Sequence, residues 1–369
     1  MSSSWAEANG FLLAMAKENK IPLIGQFELT ARCNQKCKMC YLVRSVNDSK
    51  AINSEHSAEE WLKLAKEARD AGMLHLLLTG GEVFVRPDFF QIYDGLCDMG
   101  FLLAINTNAT LITPEIAKKL GQKPPRNITI TIYGASEDTY SKVCKYPQGY
   151  NETIRGIKLL LNEGINVRLR TTVVKDNEAD VEKLVDFAEQ LGIKLELVNY
   201  VLNHREHPSD ATNQIRLSPE ELVSFECRIN EYIERRRESG NGSNIKDIVM
   251  IAPDEYSKEQ ASNVNNSAFT CDAGSASFWV SWDGRMFPCG LMNEPYTLPF
   301  EIGFGEAWKK LVELCDEVPK CQTCEDCKYS QYCMPCPARH KSETGCFDKP
   351  APYLCEMAKG FYRVSKEYI

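Results

Sequence analysis

No apolar run in this 369-residue chain is long enough to cross a bilayer; "MLHLLL" and "FLLAI" fall far short of the roughly 20 residues a spanning helix needs. A secretion signal is also missing. Glu7 precedes the N-terminal apolar patch "FLLAMA", "KENK" follows it, and no small-residue cleavage site closes it, so the patch reads as a short docking helix and the chain is expected to be cytoplasmic. Basic blocks are absent apart from "ERRRE", which sits in an amphipathic helical pattern near residues 220–238 and reads as a solvated face. With a net charge of -8, neither nucleic acid nor a membrane is expected as a partner. There is no internal repeat. Length, with 43% hydrophobic and 25% charged residues, allows a large core in two domains or in one barrel with an appendage.

Cysteine is what the chain has in excess. Sixteen thiols in a reducing compartment are more often metal ligands or redox groups than disulfides. Half lie beyond residue 314, and Cys33, Cys37 and Cys40 fall within eight positions in "ELTARCNQKCKMCYL", residues 28–42, just after an expected strand. Cys97, Cys144, Cys227 and Cys315 are isolated and read as small buried apolar residues or bystanders.

Strand-like and helix-like segments alternate from residue 25 to about 200. Strands are expected at "GQFELT", "LHLLLT", "FLLAIN", "NITITIY", "NVRLRTTVV" and "LELVNY", and helices near 57–71, 88–99, 113–121, 151–163 and 178–190. Ser57 before "AEEW" and Thr113 before Pro114 are helix-start signals. Six such units imply an α/β fold with a parallel sheet, a partial (β/α)6 TIM-like barrel whose active residues sit at the carboxyl ends of the strands. The expected division is a docking segment at 1–24, the barrel at 25–200, a polar bridge at 201–265 and a small, metal-organised, cysteine-rich domain at 266–369.

Three thiolates on one short loop leave one iron of a cubane cluster open, whereas zinc normally takes four ligands and no histidine is near. The spacing of Cys33, Cys37 and Cys40, with Tyr41 following, resembles the signature of the radical S-adenosylmethionine superfamily. That resemblance implies a [4Fe–4S] cluster whose open iron is chelated by S-adenosylmethionine. It implies reductive cleavage to a 5'-deoxyadenosyl radical, sensitivity to oxygen, and an electron donor such as flavodoxin or ferredoxin. It extends to "TGGE", where Gly80, Gly81 and Glu82 would bind the amino group of the cofactor: glycine admits a close approach and a carboxylate pairs with an ammonium. By the same likeness Asn106, Asn108 and Thr131 would contact the cofactor, or else be satisfied polar residues at strand ends, and Tyr41 and the backbone after "LVNY" would neighbour the adenine.

Cys271, Gly284 and Cys289, then Cys324, Cys327, Cys333, Cys336 and Cys355, resemble the seven-cysteine SPASM extension with two auxiliary [4Fe–4S] clusters. The resemblance implies Cys324, Cys327, Cys333 and Cys355 on the outer cluster and Cys271, Cys289 and Cys336 on the inner one. "CMPC" departs from the pattern, with a gap of two where three is usual. Cys346 is the preferred fourth inner ligand, with Cys321 or an open iron as alternatives, and a pair of zinc knuckles fits the CxxC pairs as well.

SPASM enzymes act mostly on peptides, so a ribosomally synthesised peptide is the expected substrate. With about 25 residues before the first strand, a leader would be read by a separate protein, by the bridge, or not at all. Sulfatase maturation and small-molecule dehydrogenation remain alternatives within the superfamily, and a zinc-stabilised binding protein or an electron carrier outside it. Asp272 is the candidate catalytic group; Asp283 in "WDGR" reads as a turn residue, and His204 and His207 as parts of a solvated loop.

Overall fold

The computed structural model describes residues 5–42, 44–205, 211–238, 248–250, 267–333 and 335–367, so His207 lies outside the described residues. Its strands in chain order are β1 (Ile24–Glu28), β2 (Arg32–Cys33), β3 (Arg44–Ser45), β4 (His75–Thr79), β5 (Leu102–Thr107), β6 (Asn127–Thr131), β7 (Val167–Thr172), β8 (Lys194–Val198), β9 (Ile248–Met250), β10 (Ser277–Val280) and β11 (Met286–Phe287). All six expected strands form, as β1, β4, β5, β6, β7 and β8. The described residues divide into two units, one from 5–34, 44–106 and 267–319, the other from 35–42, 107–205, 211–238, 248–250, 320–333 and 335–367.

In the first unit the strand order is β11-β10-β1-β4-β5. β1 runs parallel to β4 with Ile24 opposite His75, β4 runs parallel to β5, and only β11 is antiparallel to its neighbour. The crossover helix Ala58–Asp70 begins at a Ser57–Glu60 capping box and buries Trp61, Leu64, Ala65 and Ala68, the 3.6-residue stripe that its sequence prescribes. Trp61 packs on Phe27 with ring centroids 4.9 Å apart.

β10 extends this sheet, parallel to β1 with Ile24 opposite Ser277. Phe278, Phe287 and Phe304 are fully buried, and the Trp308 indole donates to the Lys20 carbonyl at 2.7 Å. Aromatic packing thus organises residues 277–308, a segment whose weak periodicity gave no sign of a sheet strand. The helix Trp5–Asn19 sets Ala16 against Leu23 and Ala276 and leaves Phe11 exposed.

In the second unit β6, β7, β8 and β9 are parallel neighbours in that order. The helices Gly149–Asn162 and Val181–Leu191 match expectation; Glu137–Cys144 is additional, capped by Ser136 on the Thr139 N–H. The helix Pro219–Glu238 buries Leu222, Phe225, Ile229 and Ile233 and packs on the helix Pro352–Glu367. Arg236 of "ERRRE" is more than a solvated charge, since it forms an ion pair with Glu189 at 2.6 Å. Among the described residues no helix is long and apolar enough to cross a membrane.

Candidate active site

In the first unit the chain leaves β1 at Glu28 and reaches Cys33 through Thr30, Ala31 and Arg32. The "TGGE" segment lies directly against this stretch. The Gly81 N–H donates to the Thr30 carbonyl at 2.7 Å, and the Glu82 N–H to that of Arg32 at 2.8 Å. A Cβ on Gly81 would fall 2.3 Å from the Arg32 carbonyl oxygen, and one on Gly80 2.4 Å from that of Thr30. The glycines are therefore required first by the backbone that precedes Cys33. Glu82 is fully buried and accepts from the Phe84 N–H at 3.2 Å.

Below this crossing lies a buried charged network that no local pattern announces. Glu55 takes a bidentate pair from the Arg32 guanidinium, 2.8 Å on each oxygen, and a short hydrogen bond from the Thr30 hydroxyl. Arg86 reaches the Leu29 carbonyl at 2.8 Å and pairs with Asp88. Glu28 is buried and accepts from the Trp279 indole at 3.1 Å. Asn106, near the end of β5, is half-buried.

In the second unit Cys37 is buried among Tyr140, Val143, Cys144, Val174 and Val201, with Cys40 and Tyr133 packed beside it. The loop is pinned by N–H groups of Lys36 and Lys38 donating to the carbonyls of Cys144 and Val143, each at 2.9 Å, and by Cys40 N–H to the Cys37 carbonyl at 3.1 Å. The Leu42 N–H donates to Cys40 Sγ at 3.4 Å. The Cys144 hydrogen bond lowers the Cys37 thiol against the opposing effect of burial, with Tyr133 assisting, while burial pushes Tyr133 well up. N–H donation to sulfur and stabilisation of a thiolate are what an iron–sulfur ligand loop requires, so these residues fit such a cluster.

Tyr41 lies under the Arg205 guanidinium, 4.8 Å from the ring centre, and its carbonyl accepts from the Arg205 N–H. Arg205 is buried and had no signal in the sequence, because a cation stacked on a ring so distant along the chain follows no motif. Asn108 uses its side-chain oxygen to accept from both the N–H and the hydroxyl of Thr110, at 3.0 and 2.6 Å, forming the turn after β5. Thr131 closes β6 and is half-buried, as is His204.

Of the remaining cysteines, Cys271 and Cys289 belong to the first unit, where the Leu291 N–H donates to Cys289 Sγ at 3.5 Å. Asp272 turns its carboxylate to Lys17 at 3.3 Å, and its carbonyl accepts from Ala276 and Ser277. Asp283 is lowered: burial opposes the shift, and hydrogen bonds from Arg285 and Ser281 outweigh it at the turn completed by Gly284. In the second unit Cys333 is pushed up to about 11, by burial first and then by Cys355, Cys327 and Cys336 nearby. Burial, Cys321, Cys355 and Cys333 raise Cys324 in the same way. Thiols that raise one another are those a metal cation would stabilise as thiolates. Cys346 lies on the turn after the helix Pro337–Thr344, its N–H donating to the Thr344 hydroxyl at 3.1 Å.

Residues 27–188 match the model of the family described as the Radical SAM superfamily. An AdoMet-dependent heme synthase of Methanosarcina barkeri is 28% identical over 349 residues, covering 90% of this chain and 96% of that protein. The antilisterial bacteriocin subtilosin biosynthesis protein AlbA of Bacillus subtilis is 28% identical over 289 residues, which span 77% of this chain and 58% of AlbA. The crystal structure of Streptococcus suis SuiB bound to precursor peptide SuiA shares the fold, with a TM-score of 0.71 at 16% identity over 96% of this chain and 82% of that one.

Proposed function

We propose that this chain, whose residues 27–188 match the Radical SAM superfamily model, is an enzyme that cleaves S-adenosylmethionine reductively and uses the radical to modify a ribosomally synthesised peptide. The supporting observation is the loop of Cys33, Cys37 and Cys40 directly after β1, with the Gly81 and Glu82 N–H groups bonded to the carbonyls of Thr30 and Arg32. A [4Fe–4S] cluster held by Cys33, Cys37 and Cys40 would, when bound, supply the electron for reductive cleavage of S-adenosylmethionine, drawn from a low-potential donor such as flavodoxin or ferredoxin, and so the means of hydrogen abstraction from the substrate.

Cys33, Cys37 and Cys40 hold three irons in this reading and leave the fourth to the cofactor. Gly80, Gly81 and Glu82 bring a backbone edge against the residues that precede Cys33, and they, with Tyr41, Asn106, Asn108 and Thr131, are the proposed cofactor contacts. The cysteines from 271 onward hold auxiliary metal centres in this reading. AlbA, a bacteriocin biosynthesis protein, favours a peptide substrate, with a separate leader-binding protein as a further partner. Anaerobic incubation with S-adenosylmethionine, a strong reductant and short peptides encoded beside the gene is the test: 5'-deoxyadenosine and a peptide mass change are expected, and absence of deoxyadenosine from iron-replete protein sinks the reading.

A second reading is a step on a heme precursor, favoured by the match to 96% of the heme synthase's length. Deoxyadenosine formation stimulated by an iron porphyrin, and by no peptide, would select it.

A further inference from the structure

We propose that His340 is a metal ligand and that, with Cys321 and Cys324, it forms a mixed thiolate and imidazole centre in the second unit. This rests on the reading that the C-terminal cysteines bind metal, and it adds two ligands that the seven-cysteine spacing does not include. One ligand atom from each of the three residues lies within 4.8 Å of the other two. A tetrahedral metal with bonds of about 2.0–2.3 Å holds its donors roughly 3.3–3.8 Å apart, so the trio needs a contraction of at most about 1–1.5 Å to close on one ion.

The chemistry of the ring supports the distances. His340 Nδ1 lies 3.1 Å from the Phe347 carbonyl oxygen, and Nε2 lies 3.8 Å from Cys324 Sγ. A carbonyl only accepts, so Nδ1 carries the proton and Nε2 presents its lone pair on the side of the thiols. A ligating histidine is held in this way, its other nitrogen donating to a backbone carbonyl or carboxylate.

The local chain holds the ring there. His340 stands in the first turn of the helix that starts after Cys336, and its N–H donates to the Cys336 carbonyl at 2.9 Å. Gly345, with φ of 74°, ends that helix, and the Thr344 hydroxyl bridges the His340 carbonyl and the backbone of Cys346, turning Phe347 back toward the ring. Cys321 and His340 are 7% and 4% exposed, so a cation between them is shielded from water. An iron of a cluster and a zinc ion both accept this donor set. If the metal is iron, the neutral imidazole in place of a thiolate sets the centre's potential above that of an all-cysteine one.

The test uses the full chain purified without oxygen in a Cys33→Ala background, which removes the opening centre's signal. Iron, sulfide and zinc are measured per chain, and pulsed electron paramagnetic resonance is recorded on the reduced protein with nitrogen-15 histidine. With iron, a histidine-nitrogen coupling is expected that disappears in His340→Phe, and His340→Cys keeps the iron at a lower potential. With zinc, one ion per chain is expected to be lost in His340→Phe and Cys321→Ser and retained in His340→Cys. Retention by His340→Cys separates loss of a ligand from misfolding. His340→Phe and Cys321→Ser proteins with unchanged metal content and spectra overturn the proposal, as does a chain that binds no metal here. Deoxyadenosine formation by the chain with Cys33 intact reports on the opening loop alone, so that reading stands or falls apart from this one.

Discussion

Replacing Gly81 with alanine tests whether the crossing beneath the cysteine loop is fixed by backbone contact. The added Cβ would lie 2.3 Å from the Arg32 carbonyl oxygen and 2.6 Å from that of Ala31, both main-chain atoms that cannot rotate away. Relief requires the two segments to part by about 1 Å, which stretches the 2.7 and 2.8 Å hydrogen bonds that join them. Overpacking of about 1–3 kcal/mol and two weakened hydrogen bonds of about 1 kcal/mol each give a loss of roughly 3–5 kcal/mol. Urea denaturation and iron content measure the two consequences: lower stability, and poor cluster loading because the chain entering Cys33 has moved. Gly305→Ala is the control, because nothing lies within 4 Å of its added Cβ and it sits in the helix Phe304–Asp316, where alanine is worth up to about 1 kcal/mol. A Gly81→Ala protein with the stability and iron content of the parent would refute the steric reasoning.

Further outcomes follow from other parts of the chain. Cys33→Ala should lose the iron of the opening centre and abolish 5'-deoxyadenosine, measured chromatographically, with the fold retained by circular dichroism. Glu343→Ala should cost about 3–5 kcal/mol in urea melts, because the Arg216 guanidinium, 2.5 Å from Glu343 in a buried pair, would keep its charge without that partner. Burial pushes the Asp180 carboxyl up, yet the Thr139 hydroxyl, the Ala135 N–H and Lys183 together hold it below its ordinary value. With the folded value depressed, its contribution is present above about pH 4 and is lost as pH falls through the folded value. Asp180→Asn should therefore flatten the acid limb of a stability profile below about pH 4, and an unchanged limb would count against the network.

What was legible in the sequence is what is encoded within a few residues. Ser57 and Glu60 stand three apart and form the capping box seen at the helix Ala58–Asp70, and Thr113 and Pro114 start the helix Pro114–Gln122 as expected. The six strands could be read because each alternates with a crossover helix of recognisable period. The helix Glu137–Cys144 carried a usable signal, Ser136 followed by two acids, but at eight residues it shows barely two turns of periodicity. β10 carried none. Its partner β1 lies some 250 residues earlier, and pairing at that separation depends on which strand edge is left open, a property of the assembled sheet. Lys17 with Asp272, and Trp279 with Glu28, are hidden for the same reason: each residue looks like an ordinary charge or core aromatic until the other end of the chain arrives.

The same distinction separates the donors of the opening loop from what holds them. Thiol spacing identifies Cys33, Cys37 and Cys40, but Arg32 is fixed by Glu55, 23 residues on, and the backbone before Cys33 by Gly81, which the chain reaches only after two helices and two further strands. Glu55 accepts from Thr30 and Arg32 together, so two side chains on opposite sides of Ala31 converge on one carboxylate. That convergence dictates how the chain leaves β1, since Arg32 cannot swing without breaking a buried ion pair, at a cost of several kcal/mol, and Thr30 cannot without losing its hydrogen bond to the same carboxylate. The direction of the chain into Cys33 is therefore set by oxygen and nitrogen contacts that need no metal. A thiol presented from a fixed backbone has less conformational freedom to lose when a ligand binds, which is the physical advantage of preorganisation.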